Sequence, residues 1–138
     1  MKRYLLIDDD DVIQLIHRKV VERHDPTARV DVAKSVDEAL GLLLADGEDD
    51  LPDVVLLDIN MPIKNGFDFV EGIRDHHPTL FMDLQRKSRV FLLTSSVNPR
   101  DMERANACFL IERLVSKPLS RAVLEELAAS EPLTQQGG

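Results

Sequence analysis

Three carboxylates, a hydroxyl and an ammonium group stand in this sequence at the ends of apolar runs. Asp8 and Asp9 follow the run 4–7, Asp58 follows 54–57, Thr94 follows 90–93, and Lys117 lies just past 111–115. Carboxylates held close together repel one another, so they either raise a pKa or hold a hard divalent cation. Mg2+ favours one or two carboxylates completed by water and phosphate oxygens. With such an ion neutralising the incoming group, Asp58 could attack a phosphoryl donor as a nucleophile and become an aspartyl phosphate. Lys117 would hold one phosphoryl oxygen as a point charge, and the Thr94 hydroxyl would hydrogen-bond another. Transfer of that kind is mostly positioning and charge neutralisation.

That chemistry needs a fold that gathers the five residues. Val54, Val55, Leu56 and Leu57 are apolar without alternation, as in a strand buried on both faces of a parallel sheet, and Asp58 is placed at its carboxyl end. The run 4–7 reads as a first strand, cut off by the four acids Asp8 to Asp11. Such a run is costly unless a cation compensates it, so some of these acids should face a metal and others solvent. Ile13, Ile16, Val20 and Val21 recur at helical spacing, capped by Asp10 or Asp11, and His17 and His24 fall on the surface of that helix. Val30 and Val32 share one face of a second strand, and Ala39, Leu40, Leu43 and Leu44 form the stripe of a second helix opened by Ser35 and Glu38 and stopped at Gly47.

After Asp58, Asn65-Gly66 marks a turn, with Gly66 needed for its backbone conformation, and Phe67, Val70 and Ile73 give a third helix that breaks near His76-His77-Pro78. Residues 79–88 are long for a connection yet partly apolar, which suits an extended helix end or an ordered insertion. A fourth strand over 90–93, a helix opened by Asn98-Pro99, a fifth strand over 111–115 and a last helix carrying Leu119, Val123, Leu124 and Leu127 complete the chain. Alternating strands and helices predict an α/β fold, a doubly wound five-stranded parallel sheet with helices on both faces. The five polar residues then meet on the carboxyl edge of the sheet, where ligands bind in open α/β folds.

The 138 residues suit one domain, expected over 1–130, with 131–138 as a flexible tail. A formal charge of −8 from 17 basic and 25 acidic residues argues against nucleic acid or an anionic membrane as partner. Cys108 is the only cysteine, so no intrachain disulfide is possible and a reducing cytoplasmic setting is the natural expectation. It reads as a small buried residue and not a nucleophile, since no base is evident beside it. His76-His77 lacks companion ligands and reads as an exposed helix end. No apolar stretch reaches the length of a membrane span.

At these residues the chain resembles the receiver domain of two-component response regulators, in the chemotaxis-regulator-like, stand-alone form. The likeness runs from Asp8-Asp9 through Leu57-Asp58-Ile59-Asn60-Met61-Pro62 and Gly66 to Leu93-Thr94-Ser95 and Lys117-Pro118. It implies a flavodoxin-like strand order of 2-1-3-4-5. It also implies that Asp58 is the phosphoacceptor, that Asp9 and Asp58 bind Mg2+ directly, that Asp8 acts on the metal through water, and that Asn60 offers its backbone carbonyl. Thr94, Ser95, Lys117 and Asn60 would surround the phosphoryl group, and Lys117-Pro118 would be a cis turn aiming the ammonium group inward. Ser96 and Asn60 occupy positions that tune loss of the phosphoryl group. Leu114 departs from the family, which often has an aromatic switch residue there.

The implied function is a single-domain response regulator that accepts phosphate from a sensor histidine kinase or a phosphotransfer protein and switches binding of a downstream protein. The face made by the helix after the fourth strand, the fifth strand and the last helix would select that partner or form a homodimer. Two other functions are weighed against it. A phosphohydrolase forming the same aspartyl phosphate would need a second acid two residues past the nucleophile, and Asn60 stands there, so turnover is not expected. A receiver-like interaction module without phosphorylation would be easier to accept if Asp9, Asp58 or Lys117 were missing. A flavin carrier is disfavoured by the absence of tryptophan and the single tyrosine.

Overall fold

The computed structural model describes residues 2–46, 50–61, 64–95, 98–108 and 110–129. Expectations for Gly47, Pro62, Ser96 and the tail 131–138 lie outside the described residues. Five strands form the sheet: β1 (Arg3–Ile7), β2 (Arg29–Ala33), β3 (Val54–Asp58), β4 (Arg89–Thr94) and β5 (Ile111–Ser116). All neighbours are parallel, in the order β2-β1-β3-β4-β5. The helices are α1 (Asp11–His24), α2 (Val36–Asp46), α3 (Gly66–His76), α4 (Pro78–Lys87), α5 (Pro99–Asn106) and α6 (Arg121–Ala129).

The unbroken apolar strands are explained by a core on each face of the sheet. Leu5, Ile7, Val55, Leu57, Val90 and Leu92 point to one side, where they meet Ala39, Leu43, Val70, Ile73, Leu80, Leu84 and Ala105 from α2 to α5. Tyr4, Leu6, Val54, Leu56, Phe91 and Leu93 point to the other, against Val21 of α1 and Leu124 and Leu127 of α6. Val30 and Val32 of β2 pack on this second side, as their shared face predicts. Asp58 pairs in register with Leu93, and Thr94 with Ser116, so the carboxyl ends of the strands form one edge.

Several local expectations are corrected. Asn65-Gly66 is a helix start: the Asn65 side chain accepts from the Asp68 amide and Asp68 accepts from the Asn65 amide, a reciprocal capping box. The stretch 79–88 is a separate helix, α4, with Pro78 at its first turn and His77 in a non-helical conformation between α3 and α4. Proline both breaks the first helix and starts the next, because its missing N–H is an orphan at a helix N-terminus anyway. Leu44, assigned to the stripe of α2, is exposed, and Cys108 is half-buried.

The largest correction concerns α1. Asp10 caps it as expected, accepting from the Val12 and Ile13 amides. Its inward residues, however, are Gln14, His17 and Val21, while Val12, Leu15 and Ile16 are exposed. His17 is therefore a core residue and His24 is half-buried. The apolar spacing of this helix misstates which side faces the sheet.

Candidate phosphoryl-transfer site

The carboxyl edge opens into a cleft of about 580 Å³ lined by Asp8, Asp9, Asp10, Asp58, Asn60 and Lys117 among its polar residues. Asp58 is the last residue of β3 and is almost fully buried. Its Oδ1 accepts from the Asn60 amide at 3.1 Å and lies 3.0 Å from Lys117 Nζ. Asp8 is also buried, with Oδ1 accepting from the Asp10 amide at 2.9 Å and Oδ2 2.8 Å from Lys117 Nζ. One half-buried ammonium group thus bridges two buried carboxylates, one just past the end of β1 and one at the end of β3. Asp9 is exposed at the rim.

Lys117 reaches this place because β5 delivers it: its amide donates to the Thr94 carbonyl at 2.7 Å, extending the β4–β5 ladder past the last strand residue. The Lys117–Pro118 peptide is cis, as the family resemblance implies. The close carboxylates have a physical cost. Burial pushes the Asp58 carboxyl up from its ordinary value, with Asp8 adding repulsion, against the opposing hydrogen bonds from Lys117 and Asn60. Burial would lower the Lys117 pKa, but its bonds to Asp8 and Asp58 outweigh that and hold the ammonium group charged, above its usual value.

Carboxylate oxygens of Asp8, Asp9 and Asp58 all lie within 4.8 Å of one another, a set of hard donors that fits a small divalent cation. The donor chemistry therefore agrees with Mg2+, and Lys117 offsets only part of the negative charge gathered there.

Of the residues singled out from the sequence, Asp8, Asp9, Asp58, Asn60, Ser95 and Lys117 line the cleft. Thr94 is fully buried at the end of β4 and is not part of the lining, with exposed Ser95 at the mouth in its place. Ile13, Ile16 and Pro118 form an apolar wall that spacing alone assigned to the core or to a turn. Their signal was the position of Ile13 and Ile16 one turn after the acids. Gly66 packs against the carbonyl of Asp58: a Cβ there would lie 2.9 Å from that oxygen and 3.2 Å from Ile59 Cα. The glycine is required by close approach and not, as its sequence context suggested, by a special backbone conformation.

A parallel sheet in this order with an acidic pocket and a lysine on its carboxyl edge defines a receiver architecture. The chain belongs to the response regulator receiver domain family, whose sequence model matches residues 4–129. It is 31% identical over 129 residues to the protein-glutamate methylesterase/protein-glutamine glutaminase of group 3 operon from Cereibacter sphaeroides, covering 93% of this chain and 31% of that protein. It is 37% identical over 79 residues to the transcriptional regulatory protein CpxR of Escherichia coli K12, covering 57% of this chain and 31% of that one. The chain thus spans about a third of the length of these curated relatives.

Among solved structures, a two-component response regulator from Cytophaga hutchinsonii matches with a TM-score of 0.83 at 29% identity, covering 93% of this chain and 94% of that one. A response regulator receiver protein from Dyadobacter fermentans gives 0.77 at 30% identity, covering 92% and 94%. The protein is a receiver domain homologous to two-component regulators, a family of phosphoacceptors in which phosphorylation on an aspartate is typical. Receiver domains bind Mg2+ at an acidic pocket and interact with histidine kinases or phosphotransfer proteins. Among the described residues no helix is long and apolar enough to cross a membrane.

Proposed function

We propose that Asp58 is the phosphoacceptor of this receiver domain and that Asp8, Asp9, Asp58 and the backbone carbonyl of Asn60 hold Mg2+. The bridge from Lys117 Nζ to both Asp8 and Asp58, beside the third carboxylate of Asp9, is the observation that carries this assignment. The ion would neutralise charge on the transferring phosphoryl group. The Asn60 amide and Lys117 Nζ both engage Oδ1, which supports Oδ2 as the oxygen presented to the incoming phosphorus. The new O–P bond forms there while the donor's P–N or P–O bond breaks. Lys117 then exchanges part of its contact with Asp58 for a phosphoryl oxygen, and Ser95 and Asn60 stand at the rim to contact others.

Thr94 enters as the residue that moves. A buried hydroxyl at the end of β4 must turn toward the new charge, and its carbonyl already holds the Lys117 amide, so the β4 and β5 loops would shift together. The surface that reads this shift is formed by α5, β5 and α6, which selects a downstream protein or a second copy of the chain. The donor is a sensor histidine kinase or a phosphotransfer protein of the cytoplasm. This chain contributes acceptance of the phosphoryl group and switching in place of multiple turnover, since Asn60 replaces the general acid that ester hydrolysis requires.

Intact mass after incubation with acetyl phosphate and Mg2+ tests the assignment. One adduct of about 80 Da is expected on wild type and none on Asp58→Asn or on wild type with chelator. No adduct on well-folded wild type would leave a constitutive interaction module as the function.

A further inference from the structure

Helix α1 is built against its own sequence pattern. Val12, Leu15 and Ile16 are 66%, 55% and 42% exposed, while Gln14 and His17 are 6% and 1% exposed. Burying polar side chains costs free energy unless each is hydrogen-bonded, and an apolar residue could fill the same space more cheaply. What these two side chains bond to explains their placement.

Gln14 Nε2 lies within hydrogen-bonding distance of three main-chain carbonyls, those of Leu6 at 3.1 Å, Asp8 at 3.0 Å and Ala33 at 2.9 Å, which share its two N–H donors. The Asp8 carbonyl belongs to the peptide that joins the two acids of the site. The Ala33 carbonyl also takes the Asp8 amide at 3.0 Å, so one side-chain amide fixes the point where β1 turns into the acidic loop. Its Oε1 is buried with no hydrogen-bond partner among the described residues, a cost set against the bonds of the donor end. His17 Nε2 accepts from the Leu119 amide at 3.1 Å, across 102 residues of sequence. That amide follows the Lys117–Pro118 peptide directly. An accepting Nε2 places the ring proton on Nδ1 and requires a neutral imidazole, and burial, opposed by nearby Asp8 and aided by Lys117, holds the pKa below its usual value.

We infer that Gln14 and His17 are positioning residues of the phosphoryl site, through which one turn of α1 holds the main chain of Asp8 and Asp9 and the main chain beyond Lys117 in a fixed relation. The inference rests on the phosphoacceptor function proposed above. Gln14 serves the acid wall of the cleft and His17 the lysine wall. The two therefore affect different quantities: Gln14 sets how well the carboxylates take a cation, and His17 sets how Lys117 meets the phosphoryl group.

The test compares wild type with Gln14→Leu, His17→Leu, His17→Gln, Lys117→Ala and the His17→Leu/Lys117→Ala pair, with folding checked by circular dichroism and thermal melting. Two quantities are read: Mg2+ affinity of the unphosphorylated protein, and phosphorylation rate with acetyl phosphate at saturating Mg2+. Gln14→Leu is expected to weaken Mg2+ about tenfold, as loss of groups that orient metal ligands does. His17→Leu should leave Mg2+ affinity as in wild type and slow phosphorylation about tenfold. His17→Gln should restore the rate to within about twofold, because its amide oxygen can accept the Leu119 N–H. In the Lys117→Ala background His17→Leu should cause no further slowing, as expected of residues acting through one another.

Wild-type rates for His17→Leu, the same slowing with or without Lys117, or unchanged Mg2+ affinity in Gln14→Leu would each overturn the inference while wild type still labels. Failure of wild type itself to label would instead remove the phosphoacceptor function and this inference together.

Discussion

A methyl group at position 66 would sit 2.9 Å from the Asp58 carbonyl oxygen, which no ordinary packing tolerates. The obstacle is backbone, and that backbone carries the nucleophile, so it cannot yield without moving Asp58. Gly66→Ala is therefore expected to lose about 1–3 kcal/mol in urea unfolding, the usual penalty of overpacking, and to label more slowly with acetyl phosphate than its stability loss explains. Loss of stability without any change in labelling would show that α3 yields instead of β3. At this scale much of the candidate cleft is legible in the sequence. Asp8, Asp9, Asp58 and Lys117 announce themselves because a polar group that ends an apolar run has only the sheet edge to occupy. Gln14 and His17 do not, because the partner of His17 lies 102 residues away and nothing local distinguishes an inward imidazole from a surface one. Thr94 was found in the right place but behind the cleft, a distinction that depends on side-chain direction at the last residue of β4.

Elements add a second layer, and α4 is the instructive one. Its Leu80 and Leu84 are buried one turn apart, Met82 faces solvent, and Ser88 after it donates to the Pro52 carbonyl, tying its end to the loop before β3. Leu84→Ala should cost about 2–5 kcal/mol in urea unfolding, whereas Met82→Ala should stay within about 0.5 kcal/mol. A small effect at Leu84 would mean that α4 is an appendage and not part of the core. The same scale explains two misread signals. Asn-Gly is a strong turn pair between strands, yet here it precedes a helix, where the Asn65 side chain and Asp68 exchange hydrogen bonds with each other's amides. Asn65→Ala should accordingly lower stability by about 1 kcal/mol, measured in the same urea series, while an unchanged midpoint would remove the cap from the account. In α1, Ile13, Ile16, Val20 and Val21 recur at helical spacing, but only Val21 is fully buried. Hydrophobic spacing predicted the helix correctly and its rotation incorrectly, since the inner face is set by main-chain acceptors and donors on β1, β2 and the loop after β5.

For the whole molecule, alternating helices and central strands that are apolar without alternation predict a doubly wound parallel sheet, whereas the order β2-β1-β3-β4-β5 is implied only by the family resemblance. What topology hides is how the buried site couples to global stability. His17 is neutral in the fold, with its pKa below the ordinary 6.5 because burial disfavours the cation and Lys117 adds to that, although Asp8 pulls the other way. The unfolded chain regains an ordinary imidazole and so binds more protons than the native state at any pH between the depressed value and about 6.5. Stability then rises with pH across that window and is lost as pH falls through it, by at most about 1.4 kcal/mol per pH unit for one proton. Asp58 acts in the opposite sense: its carboxyl is raised above 3.8 by burial, so the native state holds its proton longer than the unfolded chain and stability falls as pH rises from there. The informative quantity is the difference between wild type and His17→Gln, in which the Asp58 contribution is common to both. Urea unfolding from pH 7 to pH 5, in chelator, should show wild type losing stability relative to His17→Gln as the pH drops, with the two curves parallel above pH 7. Parallel curves throughout would mean that the ring takes up a proton in the fold as readily as in the unfolded chain, which is incompatible with its Nε2 being held as the acceptor of the Leu119 amide.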